Sequence, residues 1–421
     1  MRKALLTAIS TLLLLTAGAC GTGARELDER SYVNTVGVDR GVTDKMRFTF
    51  KFSSLAGMQG QNDSEDGRSK SKAGNDMETI TIDCPTIQSG ITMIMSSYSR
   101  RLNFTHATYL IISEELARDT VEPVINSISR SSEIRRTMYV IVTKGKAMDF
   151  IEEFNPFAGA SVSKSQEIFM ENAEQSSLYV NVRYNEFANR VKCTKCHAIA
   201  TMAAISDPSS FKEEGSQEKE FKSEGDYYAG EIPQKSRNKF NLMGSAIFNG
   251  MTMIGELNGN ETRSVLMLRG TFKESQIAIP DPEDASHRIS AVVFSKGDPD
   301  IKITFEEGKI KIHAAVFFEA ALQNAQITTT DEKERITQLE EAYARFIGEK
   351  LDQTIKKCQE LNCEVFDFGY TAIRQFWTIQ EWEEFDWLSN FHEAEVTTEV
   401  DFIIRRTGTN IATEDEKKAE G

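Results

Sequence analysis

Tyr109-Leu110-Ile111-Ile112-Ser113-Glu114-Glu115-Leu116-Ala117-Arg118, followed after Val121 to Ser129 by Met138-Tyr139-Val140-Ile141-Val142-Thr143, sets the fold class. Tyr109 to Ile112 and Met138 to Thr143 are short, continuous apolar runs of the length of a buried strand. Ser113 to Arg118 and Val121 to Ser129 between them read as helical segments. Upstream, Tyr32 to Asp39 alternates apolar with polar and breaks at Gly41. Met46, Phe48, Phe50 and Phe52 repeat that alternation, the mark of a half-buried strand. Gly57 to Asn75 is glycine, serine, asparagine and charge, and reads as a loop. Thr79 to Asp83 reads as a strand, and Ile87, Ile91, Ile94 and Tyr98 share one face of a helix over Thr86 to Tyr98. Strands alternating with helices predict an α/β or α+β N-terminal domain.

Downstream, Ser206 to Lys239 is polar and poor in apolar residues, which makes it the best domain boundary. Asn249-Gly250 between Ser245 to Phe248 and Thr252 to Leu257 predicts a hairpin, because both turn residues tolerate positive φ. Asn258 with Glu261 three residues on is a capping box opening a helix that ends near Gly270. Lys302 to Phe305 and Lys309 to Phe318 read as a second hairpin. Asp331 to Lys357 is the longest helix, with Ile336, Leu339, Tyr343, Phe346, Ile347, Leu351 and Ile355 as its core face. Glu364 to Phe368 and Glu395 to Arg405 read as further strands.

The N-terminus is laid out for export. Arg2 and Lys3 precede an apolar or small stretch, Ala4 to Ala19, too short for a stable transmembrane helix. Ala17, Gly18 and Ala19 lead into Cys20, as at a bacterial lipoprotein processing site, although Ala17 stands where leucine is usual. Cleavage there would leave the Cys20 thiol to carry a diacylglycerol. The formal charge is −15, and loss of Arg2 and Lys3 takes it to −17, which argues against nucleic acid as a partner. The expected order is a signal peptide over 1–19, an N-terminal α/β domain over 20–205, and a linker with a small middle domain over 206–283. A C-terminal α+β domain over 284–408 and a charged tail over 409–421 complete it. The fold class is therefore α+β and multi-domain, with mixed and antiparallel sheets and packed helices.

Three blocks carry a resemblance. Arg101-Leu102-Asn103-Phe104-Thr105-His106 goes with Ser129-Arg130 and Glu133-Ile134-Arg135-Arg136. Gly244 to Phe248 goes with Ile254 to Arg263. Cys363 to Gly369 goes with Val396 to Gly408. With the lipoprotein start, Glu26 to Arg30 and Gly37-Val38-Asp39, the chain resembles the Ger(x)C spore-germination lipoprotein family, the C subunits of nutrient germinant receptors. That resemblance implies about three domains tethered to the outer face of the spore inner membrane. It implies membrane-embedded A and B subunits as partners, nutrient recognition in those partners, and no catalytic residues.

Cys193-Thr194-Lys195-Cys196-His197 also matches the haem c attachment pattern. Its other readings are a local disulfide or two free thiols. Cys193 and Cys196 could instead join Cys358 and Cys363 in a four-thiolate zinc site, but the simpler expectation is that each pair closes its own disulfide in an oxidising compartment. Cys84 is then alone and buried beside Pro85. His106, Arg130, Glu133, Arg135 and Arg136 are expected to serve the fold, and the apolar Trp377 to Trp387 segment is a candidate partner contact with two or three of its aromatics in the core. No catalytic residue, metal or cofactor is expected. A solute-binding lipoprotein and a haem electron carrier using Cys193, Cys196 and His197 are the rival functions.

Overall fold

The computed structural model describes residues 30–53, 77–154, 162–215, 221–236, 238–306, 309–323 and 332–406. The expected signal peptide, Cys20, the 57–75 loop and the charged tail lie outside them. Strands β1 (Arg30–Arg40), β2 (Met46–Ser53) and β3 (Met77–Cys84) form an antiparallel meander. Next come α1 (Ile87–Ile94), β4 (Arg101–Asn103), β5 (Tyr109–Ser113), α2 (Glu114–Asp119), α3 (Glu122–Arg130) and β6 (Tyr139–Thr143). Helices α4 (Ala147–Glu153), α5 (Val162–Ser176) and α6 (Tyr184–Arg190) lead to β7 (Ala198–Ile205). The hairpin β8 (Phe240–Asn249) and β9 (Thr252–Leu257) follows.

These strands make one 9-stranded sheet in the order β3-β2-β1-β5-β6-β7-β8-β9, with β4 also paired to β1. β1, β5, β6 and β7 run parallel at its centre. Every residue of β5 and β6 is buried, as parallel strands covered on both faces must be. Leu110, Ile112, Val140 and Val142 pack with the apolar faces of α1, α2 and α3. Tyr109, Ile111, Tyr139 and Ile141 turn the other way, onto α4 and α5 through Phe150, Phe154 and Met170. Helix α4 is only a turn or two long and is fixed at both ends from the sheet. Asp39 accepts from the N–H groups of Ala147 (2.7 Å) and Met148 (3.0 Å), and Lys51 donates to the carbonyls of Ile151 (2.7 Å) and Phe154 (2.9 Å). A carboxylate at the first turn and an ammonium at the last satisfy orphan backbone groups and suit the helix dipole.

The capping box at Asn258 opens α7 (Gly259–Leu268), with both reciprocal bonds in place. Beyond it, β10 (Glu274–Pro280), β11 (Arg288–Ser295), β12 (Asp300–Glu306) and β13 (Lys309–Leu322) pair antiparallel. Helix α8 (Glu332–Glu360) precedes the short helices α9 (Gly369–Ala372), α10 (Ile379–Phe385) and α11 (Trp387–Asn390), and β14 (Glu395–Arg406) then returns parallel to β13. The predicted stripe of α8 covers this 5-stranded sheet, with Leu339, Tyr343, Ile347, Leu351 and Ile355 buried. Tyr343 stacks on Phe402 at 4.9 Å, a pairing that contributes about 0.5–1.5 kcal/mol beyond area burial. The fold is α+β with mixed sheets, as expected.

Two expectations differ from what is found. The sheet runs straight through the predicted break after residue 205, since β8 and β9 extend it beyond β7. Glu364 to Phe368 is not a strand. The Glu364 carboxylate accepts from the N–H groups of Phe366 (2.7 Å) and Phe368 (3.2 Å), wrapping the backbone around its own side chain. Such local side-chain bonds compete with a strand ladder.

Gly244 and Gly250 both have positive φ, but only Gly244 is crowded: a Cβ there would stand 2.0 Å from the Leu257 carbonyl oxygen. Gly244→Ala should cost about 2–4 kcal/mol, and Gly250→Ala, with open space around it, about 1 kcal/mol. Urea unfolding midpoints of the two variants check this ordering, and equal losses would contradict it.

Candidate functional site at the seam between the two sheets

Helix α6 ends in a turn, with Cys193 N–H donating to the Arg190 carbonyl at 3.0 Å, and that turn carries Cys193 to His197 into β7. The turn meets the 363–370 segment from the other sheet. His197 N–H donates to the Glu364 carbonyl (2.6 Å), and the Glu364 N–H donates to His197 Nδ1 (2.9 Å). Burial lowers the His197 pKa, so its imidazole stays neutral and Nδ1 stays an acceptor. Arg190 grips Asp367 with two bonds of 2.7 and 2.8 Å. Burial opposes the Asp367 charge, but Arg269 and Arg190 hold its pKa below the usual range.

Cys193 and Cys196 are thiols with their sulfurs 3.3 Å apart. Cys358 and Cys363 are also thiols, both fully buried. Among the described residues, no group of His, Cys, Asp or Glu is placed to hold a metal ion, so the two pairs do not assemble into a zinc site. Haem does not fit His197 either: the residue is 3% exposed and its ring is bonded to the Glu364 backbone and the Asn249 side chain, which leaves its nitrogens engaged and iron without access. Cys84 is fully buried.

A second tie lies along α7. Asn260 donates to Ser223 (2.6 Å) and Asp226 (2.8 Å), and buried Arg263 pairs with Glu224 at 3.0 Å. Lys350 and Lys357 of α8 reach Asp226 and Glu261, each at 2.7 Å. Beside the seam lies a cleft of about 610 Å³ whose lining includes Glu174, Asn181, Arg183, Arg190, Arg269 and Lys273. Asn181 Oδ1 and Arg269 Nη2 are buried there without a hydrogen-bond partner among the described residues. Neither the cleft nor the second tie was read from the sequence.

Residues 23–226 match the family described as "Spore germination protein N-terminal domain", and residues 243–408 match "Spore germination B3/ GerAC like, C-terminal". The chain belongs to the GerAC-like spore germination family. It is 20% identical over 402 residues to the "Putative spore germination protein YfkR" of Bacillus subtilis strain 168, covering 91% of this chain and 93% of that one. Its fold is similar to that in the "Crystal Structure of the GerBC protein", with a TM-score of 0.51 at 15% identity, covering 88% of this chain and 97% of that one.

The residues that carry the resemblance sit at joints of the fold. Arg101 pairs with Glu133 at 2.8 Å on the surface, and Arg136 donates to the Ser129 carbonyl near the end of α3 at 2.8 Å. The His106 ring meets Tyr32 edge to face at 5.0 Å. Gly37-Val38-Asp39 supplies the N-terminal anchor of α4. Trp382 and Trp387 are core, whereas Trp377 is 94% exposed.

Glu364 is completely buried, and its Oε2 has no partner among the described residues. Burial, reinforced by the Asp367 charge, pushes its carboxyl up to about 8 from an ordinary 4.5. Between those values the native chain keeps a proton that the unfolded chain has lost, so stability falls as pH rises through that window. The loss from this one group is on the order of 3–5 kcal/mol. Glu364→Gln keeps the carbonyl acceptor without the titration. Urea midpoints at pH 5 and pH 8 should show a shallower decline in the variant and greater stability than the native chain at pH 8; identical slopes would refute the assignment.

Proposed function

We propose that the chain is the lipid-anchored C subunit of a nutrient germinant receptor. In this reading it is a non-catalytic scaffold on the outer face of the spore inner membrane, beside membrane-embedded A and B subunits. The observation that carries it is the match of both family halves in order, over 23–226 and 243–408, directly behind a signal-like segment ending at Cys20. No helix among the described residues is long and apolar enough to cross a membrane. Anchoring then falls to the diacylglycerol on Cys20, whose buried methylenes contribute about 0.8 kcal/mol each. A net charge of −15 is repelled overall by anionic lipid, which gives the acyl chains the larger part of the holding. In support of a scaffold role, the bonds of His197 with Glu364 and of Arg190 with Asp367 join the two sheets.

Cys20→Ala tests the anchor in spores. The variant should lose labelled fatty acid, leave the membrane fraction and abolish nutrient-triggered germination, while circular dichroism of the purified body stays unchanged. Germination at the native rate with that variant would falsify the proposal.

A solute-binding lipoprotein is the second reading, and the cleft of about 610 Å³ speaks for it. Such proteins close two lobes of βαβ units around a ligand, whereas this chain joins one mixed sheet to one mainly antiparallel sheet. Isothermal titration of the isolated body with amino acids and sugars should give no binding heat. Tight binding of any of them would favour the second reading over a receptor accessory.

A further inference from the structure

Cys193 is the one cysteine of the five described that is not buried, and it stands in the turn directly after α6. Its sulfur lies 3.3 Å from that of Cys196 and accepts the Lys195 N–H at 3.3 Å. The Arg190 guanidinium, already held by Asp367, reaches the Cys196 sulfur at 3.3 Å. The Tyr370 hydroxyl stands 3.8 Å from both sulfurs and narrows the approach. Two sulfurs this close need only a small movement to reach a disulfide length of about 2 Å.

We propose that Cys193 and Cys196 form a thiol–disulfide exchange site, with Cys193 the attacking thiolate and Cys196 the resolving thiol, reacting with a small solvent-borne disulfide. Cys193 attacks one sulfur of that disulfide, whose S–S bond breaks and releases one thiolate. The Cys196 thiol gives its proton to solvent and attacks Cys193 in the mixed disulfide, expelling the second thiolate. Overall the protein dithiol loses two electrons and two protons, and the small disulfide is reduced to two thiols.

The surroundings divide these roles. The hydrogen bond from the Cys196 thiol, helped by the Lys195 N–H, lowers the Cys193 pKa to about 5. That same bond and burial raise the Cys196 pKa, so it keeps its proton while Cys193 is anionic. Once Cys193 is capped, the bond is gone, and Arg190 is the cation that supports a Cys196 thiolate. Lowered pKa at an accessible position is what makes a cysteine reactive, whereas apolar burial makes it inert. Cys84, Cys358 and Cys363 are in the second condition.

The test uses the full mature chain in glutathione buffers of increasing oxidised fraction, quenched with acid and mapped by peptide mass. The 193–196 disulfide should form first, while Cys84, Cys358 and Cys363 remain thiols. At pH 5.5, iodoacetamide should alkylate Cys193 about tenfold faster than it alkylates glutathione. Cys196→Ser should trap a glutathione adduct on Cys193, and Cys193→Ser should react at neither position, with circular dichroism confirming the fold of both. Absence of the 193–196 disulfide in folded protein, earlier oxidation of Cys358 with Cys363, or equal reactivity of the two serine variants would each overturn the assignment.

Discussion

Where β7 begins, His197 gives its backbone N–H to the Glu364 carbonyl and takes the Glu364 N–H on its imidazole. This exchange joins the central parallel strands to the segment that follows α8, and most of the seam is a consequence of it. It draws the Glu364 side chain out of water, where a carboxyl can persist only neutral or hydrogen-bonded. It brings Asp367 within reach of Arg190 and Arg269, so that one carboxylate serves two guanidinium groups. It also seats Tyr370 over the Cys193–Cys196 turn. Removing one partner from such a junction strands a buried polar group, which costs more than the bond itself contributes.

The centre of the large sheet was legible because β5 and β6 are unbroken apolar runs dominated by Ile, Val and Tyr. Strand β7 was not, since Ala-Ile-Ala-Thr-Met-Ala-Ala-Ile is rich in a helix former and takes its identity from its neighbours. Alanine fits there because the strand is packed on both faces. Helix α4 escaped for a related reason: its caps, Asp39 and Lys51, come from strands about a hundred residues away. The capping box at Asn258 is the opposite case, with both bonds made within four residues. Glu364 to Phe368 has the valine and phenylalanines of a strand, yet its first residue satisfies the backbone that a neighbouring strand would have needed.

At the seam, the five residues from Cys193 to His197 were visible as a motif that fitted a disulfide, free thiols, haem or part of a zinc site. The contacts that separate these readings come from Glu364, Asp367 and Tyr370, more than 160 positions along the chain. No local pattern announces such partners. The same holds for the polar tie through Asn260 and Arg263, whose residues were quoted for a family resemblance and whose work is to bind α7 to the 223–226 segment. The polar linker that looked like a boundary in composition therefore holds the two halves together.

Strongly perturbed titratable groups often mark a catalytic centre, because burial and like charges are how enzymes tune acids and bases. Here Glu364, Asp367, Arg190, Arg269, Cys193 and Cys196 are all perturbed and all lie within one seam. Burial is the largest cause for most of them, and after it their perturbers are mainly one another. Arg190 and Arg269 both face Asp367, and one oxygen of the Glu364 carboxyl is bonded to its own backbone, so much of this charge is engaged across the seam. The raised Glu364 carboxyl makes this junction sensitive to protonation, because a buried carboxyl that ionises loses the neutral form its site favours.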